Sequence, residues 1–325
     1  MLLGFKTALF LLLVLVVTLA GIFITVFRLE EPQGRLTLVP CSRYAVAVAD
    51  GSRVSVWKPV GAASIDPNLW GLVDFEGSGL VRGSARMECR AGGPLLIETA
   101  LEVDAPLRQG VVAYHEVIYG VKPFGVDPAH PLPRDPLPLP ARLDLLPRVV
   151  ALAEYSVHWS STGVNVAYDV WLKRRAGEPG VSRGDLEVMV WLYWDNATPA
   201  GSAVSRFEAP VLVNCTLKPL NWTVWIQRSI GGGWTYVAFT PSAPVRSGSV
   251  AVDLKLFLDK AVELLEESTP GQWSARDLHV VSVEFGSEVF YSKRIAVSWE
   301  LRRLELLVSP SKTTAEEALR GACKG

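Results

Sequence analysis

The sequence predicts an all-β fold, a sandwich of two antiparallel sheets with one helix packed on the outside. Three observations carry that expectation. Apolar and polar residues alternate through one segment after another, Gly- and Pro-rich turn signals separate those segments, and a single stretch switches to helical spacing.

Taken in order, residues 35–106 hold Tyr44 to Val48, Arg53 to Trp57 and Leu95 to Val103 as strands. Pro123 to Pro147 then carries eight of the 22 prolines. Proline brings no ladder donor, so this stretch reads as an extended loop over the surface. Alternation resumes over 151–159, 164–173, 186–194, 222–228, 234–240, 279–290 and 294–307, with turns at 176–180, 196–201 and 231–233. Asp253 to Glu267 breaks the pattern by placing Leu254, Phe257, Leu258, Ala261, Val262 and Leu265 on one helical stripe, with Asp253 as N-cap. Residues 29–39 read as a short linker and 309–325 as a polar tail, which leaves 40–308 as one domain.

Composition removes whole classes of function. The 325 residues are 49% apolar with a net charge of −1, which gives nucleic acid no basic footprint and leaves no room for a disordered chain. The four histidines show no ligand spacing, and neither a G-x-S-x-G elbow nor a G-x-x-x-x-G-K-[ST] loop occurs, so no metal or cofactor is expected. Asparagine and glutamine are scarce and arginine outnumbers lysine 22 to 10, a bias suited to a protein that works hot. Tryptophan, at 11, equals phenylalanine.

The amino terminus directs the chain out of the cell. Thr7 to Phe27 is uncharged and apolar, long enough as a helix to cross a bilayer, so residues 1–28 read as a signal peptide or a membrane anchor. Any membrane contact is expected through 7–27 alone, with the rest of the chain secreted or held on the outer face. Asn196, Asn214 and Asn221 each open an Asn-x-Thr acceptor. Cys41, Cys89, Cys215 and Cys323 are widely spaced, which permits one or two disulfides or buried thiols; Cys41 with Cys89 is the pair expected.

The strands' two faces are chemically unequal. In 186–194, Leu186, Val188, Val190, Leu192 and Trp194 fall on one side, expected to be the core, and Glu187, Met189, Trp191 and Tyr193 on the other. Strand 164–172 sets Val166, Tyr168, Val170 and Leu172 against Asn165, Asp169 and Trp171, and strand 280–290 sets its apolar residues against Ser282, Glu284, Gly286 and Glu288. Carboxylates mixed with tryptophan on a polar face suit a carbohydrate, whose C–H groups stack on rings while acids bind hydroxyls. Two carboxylates are also the minimum equipment for cleaving a glycosidic bond. Glu284 shares a face with Glu288 but lies four residues away, about 13 Å along a strand, so the two cannot serve one bond.

At these residues the sequence resembles glycoside hydrolase family 12, the retaining endoglucanases. The resemblance rests on Glu187-Val-Met-Val-Trp-Leu192, Phe285-Gly-Ser-Glu288, Asn165-Val-Ala-Tyr-Asp169, Asn68-Leu-Trp-Gly71 and Tyr114-His-Glu-Val-Ile-Tyr-Gly-Val-Lys-Pro-Phe-Gly125, and it covers roughly 40–308. Ser287 stands where the family usually has Thr, and Val289 where Pro is frequent.

The resemblance implies a concanavalin-like β-jelly-roll of two curved sheets, an endo-acting hydrolase of β-1,4-glucan that works as a monomer and retains configuration. Glu187 would be the nucleophile and Glu288 the acid/base, with Asp169 hydrogen-bonded to Glu187. Met189 would pack beneath the site, Trp70 and Trp191 would form sugar platforms with Trp171 facing the same cleft, and Asn68, Glu116 and Tyr119 would bind hydroxyls. A non-catalytic, surface-anchored carbohydrate-binding sandwich would keep the aromatics but has no need of all three carboxylates. A structural cell-envelope protein would explain the export signals alone.

Overall fold

The computed structural model describes residues 33–107, 110–124, 134–230 and 233–323; the apolar segment 7–27 and the Gly-rich tip 231–232 lie outside them. Among the described residues no helix is long and apolar enough to cross a membrane.

Seventeen strands follow one another: β1 (Gly34–Val39), β2 (Ala45–Asp50), β3 (Lys58–Pro59), β4 (Ser64–Asp66), β5 (Val81–Cys89), β6 (Leu95–Val103), β7 (Val111–Gly120), β8 (Ala141–Arg142), β9 (Arg148–Ser160), β10 (Val164–Lys173), β11 (Leu186–Asp195), β12 (Ser202–Val213), β13 (Thr216–Ile230), β14 (Trp234–Pro241), β15 (Ser247–Asp253), β16 (His279–Phe290) and β17 (Arg294–Ser309). Two α-helices, α1 (Leu254–Ser268) and α2 (Ala315–Gly321), complete the set of strands and α-helices among the described residues.

Hydrogen bonding runs through β4, β7, β16, β10, β11, β14 and β13 in one layer, and through β5, β6, β17, β9 and β15 in the other. The layers join where β12 meets β15 at Leu212 and Val213. One large curved sheet therefore folds over on itself. Its two halves meet through rings: Phe285 of β16 lies 6.0 Å from Tyr155 of β9 and 6.3 Å from Trp299 of β17, centroid to centroid. Nearly every pairing is antiparallel, but β11 and β14 run parallel over Leu186–Val190 and Thr235–Phe239.

Helix α1 forms where its stripe requires. Asp253 accepts from the Leu256 N–H at the N-terminus, and the buried side chains are Leu254, Phe257, Leu258, Ala261, Val262 and Leu265. Phe257 meets the rings of Trp222, Phe239 and Phe207 at 4.7, 5.1 and 5.6 Å, so truncating it to alanine is a loss of about 3–5 kcal/mol.

Several elements differ from the sequence expectation. Arg53–Trp57 is not a strand: the Asp50 carboxylate accepts from the Ser52 and Arg53 N–H groups and turns the chain. Residues 34–39 of the expected linker are strand β1, paired with β17. The expected polar tail carries α2, whose Leu319 is buried, and a disulfide joins Cys323 to Cys215. A second disulfide joins Cys41 and Cys89.

The Pro-rich crossing also departs from a pure surface loop. Leu137, Leu139, Leu143 and Leu146 are buried between its prolines, and β8 pairs with β16. Leucine side chains can enter a core even where the backbone cannot join a central ladder.

The β10–β11 register shifts between Val166 and Ala167, leaving Leu192 as an extra residue on β11. This bulge flips the alternation beyond it. Tyr193 turns to the core and Trp194 to the opposite face, the reverse of what strict alternation predicts.

Candidate active site

The face of the first layer turned away from the core holds Asp66 of β4, Glu116 of β7, Glu284 and Glu288 of β16, Asp169 of β10 and Glu187 of β11. Strand pairing fixes their order. Asp66 faces Glu116, Glu284 faces Asp169, and Asp169 faces Met189, two residues along the same face from Glu187. Adjacent strands thus bring six acids into one region from sequence positions more than two hundred residues apart.

Each proposed catalytic carboxyl has a fixed donor. Trp234 Nε1–H donates to Glu187 Oε2 at 2.6 Å, from the parallel strand β14. Asn165 grips Glu288 twice: its side-chain amide donates to Glu288 Oε2, and its Oδ1 accepts from the Glu288 N–H at 2.9 Å. Gly286 permits β16 to approach β7 here, because a Cβ would meet the His115 carbonyl oxygen at 1.9 Å.

Burial dominates the electrostatics. It pushes Glu288 up to about 7, against the Asn165 hydrogen bond that favours the anion. Burial raises Glu187 as well; the Trp234 hydrogen bond opposes that rise, and the charges of Glu288 and Glu284 reinforce it. Asp169, 5% exposed, lies well above the ordinary carboxylate range through burial first and the neighbouring Glu187 and Glu284 second. Its Oδ1 has no hydrogen-bond partner among the described residues.

The remaining predicted residues divide. Trp70 opens a short 3-10 turn and is 50% exposed, free to offer its face to a sugar. Asn68 supports that turn at φ +36°, a conformation asparagine tolerates, with its N–H on Asp66 Oδ1 and its amide on Glu116 Oε1 at 2.7 Å. Met189 lies buried beneath the acids.

Three residues are placed differently from expectation. Trp191 is fully buried with Met189, Tyr114 and Tyr236, so it packs beneath the site and offers no stacking face. Glu116 is fully buried and accepts from Lys122 Nζ at 2.5 and 2.6 Å, which commits its oxygens internally. Tyr119 points into the core because it alternates with the cleft-facing residues of β7. Its hydroxyl donates its one proton between the carbonyls of Arg134 and Leu137, at 2.7 and 2.5 Å, and accepts from the Arg134 N–H, and so anchors the Pro-rich crossing.

Trp171 does face the acids but is nearly covered. Phe124 meets it edge-on at 5.0 Å, and Trp234 lies 5.8 Å away. Phe124, 54% exposed, presents the open aromatic surface on this side.

Trp234, Lys122 and Phe124 are residues around these acids that alternation alone does not place here; it does place Asn165 on this face, without a partner. Trp234 carried one signal, a period-two position beside the Gly231-Gly-Gly233 turn. Lys122 and Phe124 stand within the Tyr114–Gly125 motif, where nothing in the sequence shows their partners. Among the described residues no grouping of three or more His, Cys, Asp or Glu side chains is arranged to hold a metal ion.

Comparison with known proteins agrees with this arrangement. Residues 61–301, which include all six acids of this face, match the sequence model of Glycosyl hydrolase family 12. The chain belongs to that family. Endoglucanase S of Pectobacterium parmentieri is 29% identical over 155 residues, which is 47% of this chain and 52% of that protein. The chain therefore spans about half the length of the curated relative it matches.

Among solved structures, a family 12 xyloglucanase from Bacillus licheniformis in complex with ligand superposes with a TM-score of 0.59 at 20% identity, covering 82% of this chain and 100% of that one. Endoglucanase cel12A from Rhodothermus marinus does so at 0.54 and 20% identity, covering 85% and 99%. The family 12 domain thus shares its β-jelly-roll fold with these enzymes.

Proposed function

We propose that this family 12 protein is an exported endo-β-1,4-glucanase that cleaves internal bonds with retention of configuration. The observation that carries the reading is the pair Glu187 and Glu288. Both stand in family motifs, both lie on one face of the curved sheet, on the strands β11 and β16 that flank β10, and each is held by a fixed hydrogen-bond donor.

In this reading Glu187 attacks the anomeric carbon and forms a covalent glycosyl-enzyme. Glu288 protonates the departing oxygen and then deprotonates the water that releases the sugar. Burial raises both carboxyls, Glu288 to about 7 and Glu187 to about 8, so burial supplies a protonated acid near neutrality but does not by itself separate acid from nucleophile. The nucleophile must ionise in the same desolvated setting, and the Trp234 indole N–H stabilises its anion. Asp169, the diagonal neighbour of Glu187 on β10, is assigned to hold it; its buried Oδ1 makes no hydrogen bond among the described residues, so that role falls to its other oxygen. Trp70 on one side and Phe124 on the other supply stacking surfaces for a glucan lying across the face, with Asn68 beside Trp70. A neutral glucan needs no charged surface, which fits the net charge of −1.

The extracellular setting rests on the segment 7–27, on the acceptors at Asn196, Asn214 and Asn221, and on two disulfides. The protein is read as secreted or anchored by that segment, active as a monomer and suited to high temperature.

A reducing-sugar assay over soluble cellulose, mixed-linkage glucan and xyloglucan tests the activity and names the preferred substrate. Release from at least one, lost in Glu187→Gln and Glu288→Gln, is the expected result. No release from any overturns the reading. Proton NMR of the first product is expected to show the β-anomer, and an initial α-anomer would refute retention.

A further inference from the structure

Glu284 is fully buried yet takes no part in the chemistry assigned to Glu187 and Glu288. Lys122 Nζ reaches it at 3.2 Å while also holding both oxygens of Glu116, and Ser282 donates to its other oxygen at 3.0 Å. Burial alone would strip the Lys122 proton, but Glu116 and Glu284 outweigh it and raise the ammonium's proton affinity. Lys122 is the only ion-pair partner that the six acids of this face have among the described residues. Lys122 Nζ lies closer to Glu116 than to Glu284, so its charge is spent mainly on Glu116, against the burial that raises the Glu116 proton affinity, and the Glu284 carboxyl is compensated less.

Asp169 lies beside that carboxyl. Glu284 faces it directly across the β10–β16 pair, where opposed side chains sit about 5 Å apart at Cβ, and Glu187 is its diagonal neighbour on β11. Three acids therefore form a file across three strands, Glu284, Asp169, Glu187. Lys122 serves one end and the Trp234 indole serves the other, whereas the middle member has a buried oxygen with no donor. Three buried anions in a row repel, and the carboxyl without a donor is the one that takes a proton.

We propose that Glu284, anchored by Lys122, is a positioning residue of the reaction. Its fixed charge confines a proton to Asp169, so that the Asp169 hydroxyl is donated to Glu187 and does not compete with it as a second anion. This deepens the glucanase reading and rests on it for the role of Glu187. The charged and titratable groups facing Asp169 are Glu284 of β16, Glu187 of β11, Glu116 and Tyr114 of β7, Lys122 just beyond β7, and Tyr236 of β14. Of these, Lys122 alone favours ionisation of Asp169.

Two measurements test the proposal. Infrared spectra of the free wild-type protein at neutral pH are expected to contain a protonated-carboxyl C=O band that disappears in the near-isosteric Asp169→Asn. An unchanged set of bands overturns the proposal, whether or not the protein cleaves glucans. In kinetics, Glu284→Gln removes a negative charge and makes the Asp169–Glu187 pair easier to ionise. The acid limb of kcat/KM is therefore expected to move down by about one pH unit, and Glu284→Asp, which keeps the charge, to return it towards wild type. A merely structural role would change stability or kcat and leave that limb in place; an unmoved limb in folded Glu284→Gln overturns the proposal. If Glu284→Gln fails to fold, the infrared result decides alone. If no β-glucan is cleaved, the activity reading fails while the infrared test still stands.

Discussion

Strands β7 and β16 bury polar groups on both of their faces, and the two faces treat them in opposite ways. On the core side, His115 lies between Thr99, at 2.8 Å from Nε2, and Ser287, at 3.1 Å from Nδ1. All three are neutral, since burial lowers the imidazole to about 3. On the other side Glu116 and Glu284 are just as fully buried and Glu288 is half-buried; these groups are ionisable, and Lys122 is the one cation paired with them among the described residues. A neutral network closes on itself and fixes the strands. A charged one with more acids than bases stores repulsion, and that repulsion moves proton affinities into the range where acid/base chemistry operates. Equal burial thus serves structure on one face and reactivity on the other.

The sharpest way to break this contrast is to neutralise the reactive face. Glu187→Gln is expected to lower kcat on the preferred glucan at least about a thousandfold, and Glu288→Gln about a hundred- to ten-thousandfold, with thermal unfolding little changed. If either variant keeps substantial activity, the carboxyl assignment is wrong. The wild-type pH profile should be a narrow bell. Both limbs are expected above the ordinary carboxylate range and overlapping, because burial raises Glu288 to about 7 and Glu187 at least as far; an acid limb near ~4 would show that Glu187 is not desolvated.

Trp234→Phe keeps the ring and deletes the donor. About a tenfold loss in kcat/KM is expected, with the acid limb moved to higher pH because the Glu187 anion loses its hydrogen bond. An unmoved limb would show that the indole N–H does not set the nucleophile's charge.

His115 sharpens the comparison from the other side. Its folded-state affinity for a proton is depressed from 6.5 to about 3, so its contribution to stability is complete above 6.5 and lost as pH falls towards 3. Urea unfolding across that window is expected to show the decline, and His115→Leu to flatten it. The variant leaves two hydroxyls unpaired, at a cost of about 1–3 kcal/mol, while the limbs of the activity profile stay where they are. A displaced limb would mean the two faces are electrically connected.

Much of this was legible in the chain. Period-two alternation located Glu187, Asp169 and Glu288 on one side of three strands, and 3.6-residue spacing gave α1 with its N-cap, because both periods follow from local backbone geometry. What escaped depended on register. Nothing near Trp234 in sequence shows that it donates to a residue 47 positions earlier, since that bond requires the parallel pairing of β11 with β14. Trp194 and Tyr193 exchanged faces because one extra residue, Leu192, enters β11. Tyr119 was read as a substrate contact from its motif, although its parity on β7 turns it to the core. The burial of α2 and β1 was equally invisible, because both short segments are stabilised by distant partners: β17 for one, and for the other a disulfide joining Cys323 to Cys215.

The parallel pairing of β11 with β14 has a kinetic consequence. Parallel neighbours cannot be joined by a tight hairpin, so the chain must complete the long antiparallel pair β12–β13 before β14 can dock beside the nucleophile's strand. Non-local pairings of this kind slow folding. The indole donor of Glu187 therefore arrives through tertiary pairing across 47 residues, which no local hairpin supplies. Recovery of hydrolysis after dilution from denaturant is expected to lag behind recovery of β-sheet circular dichroism.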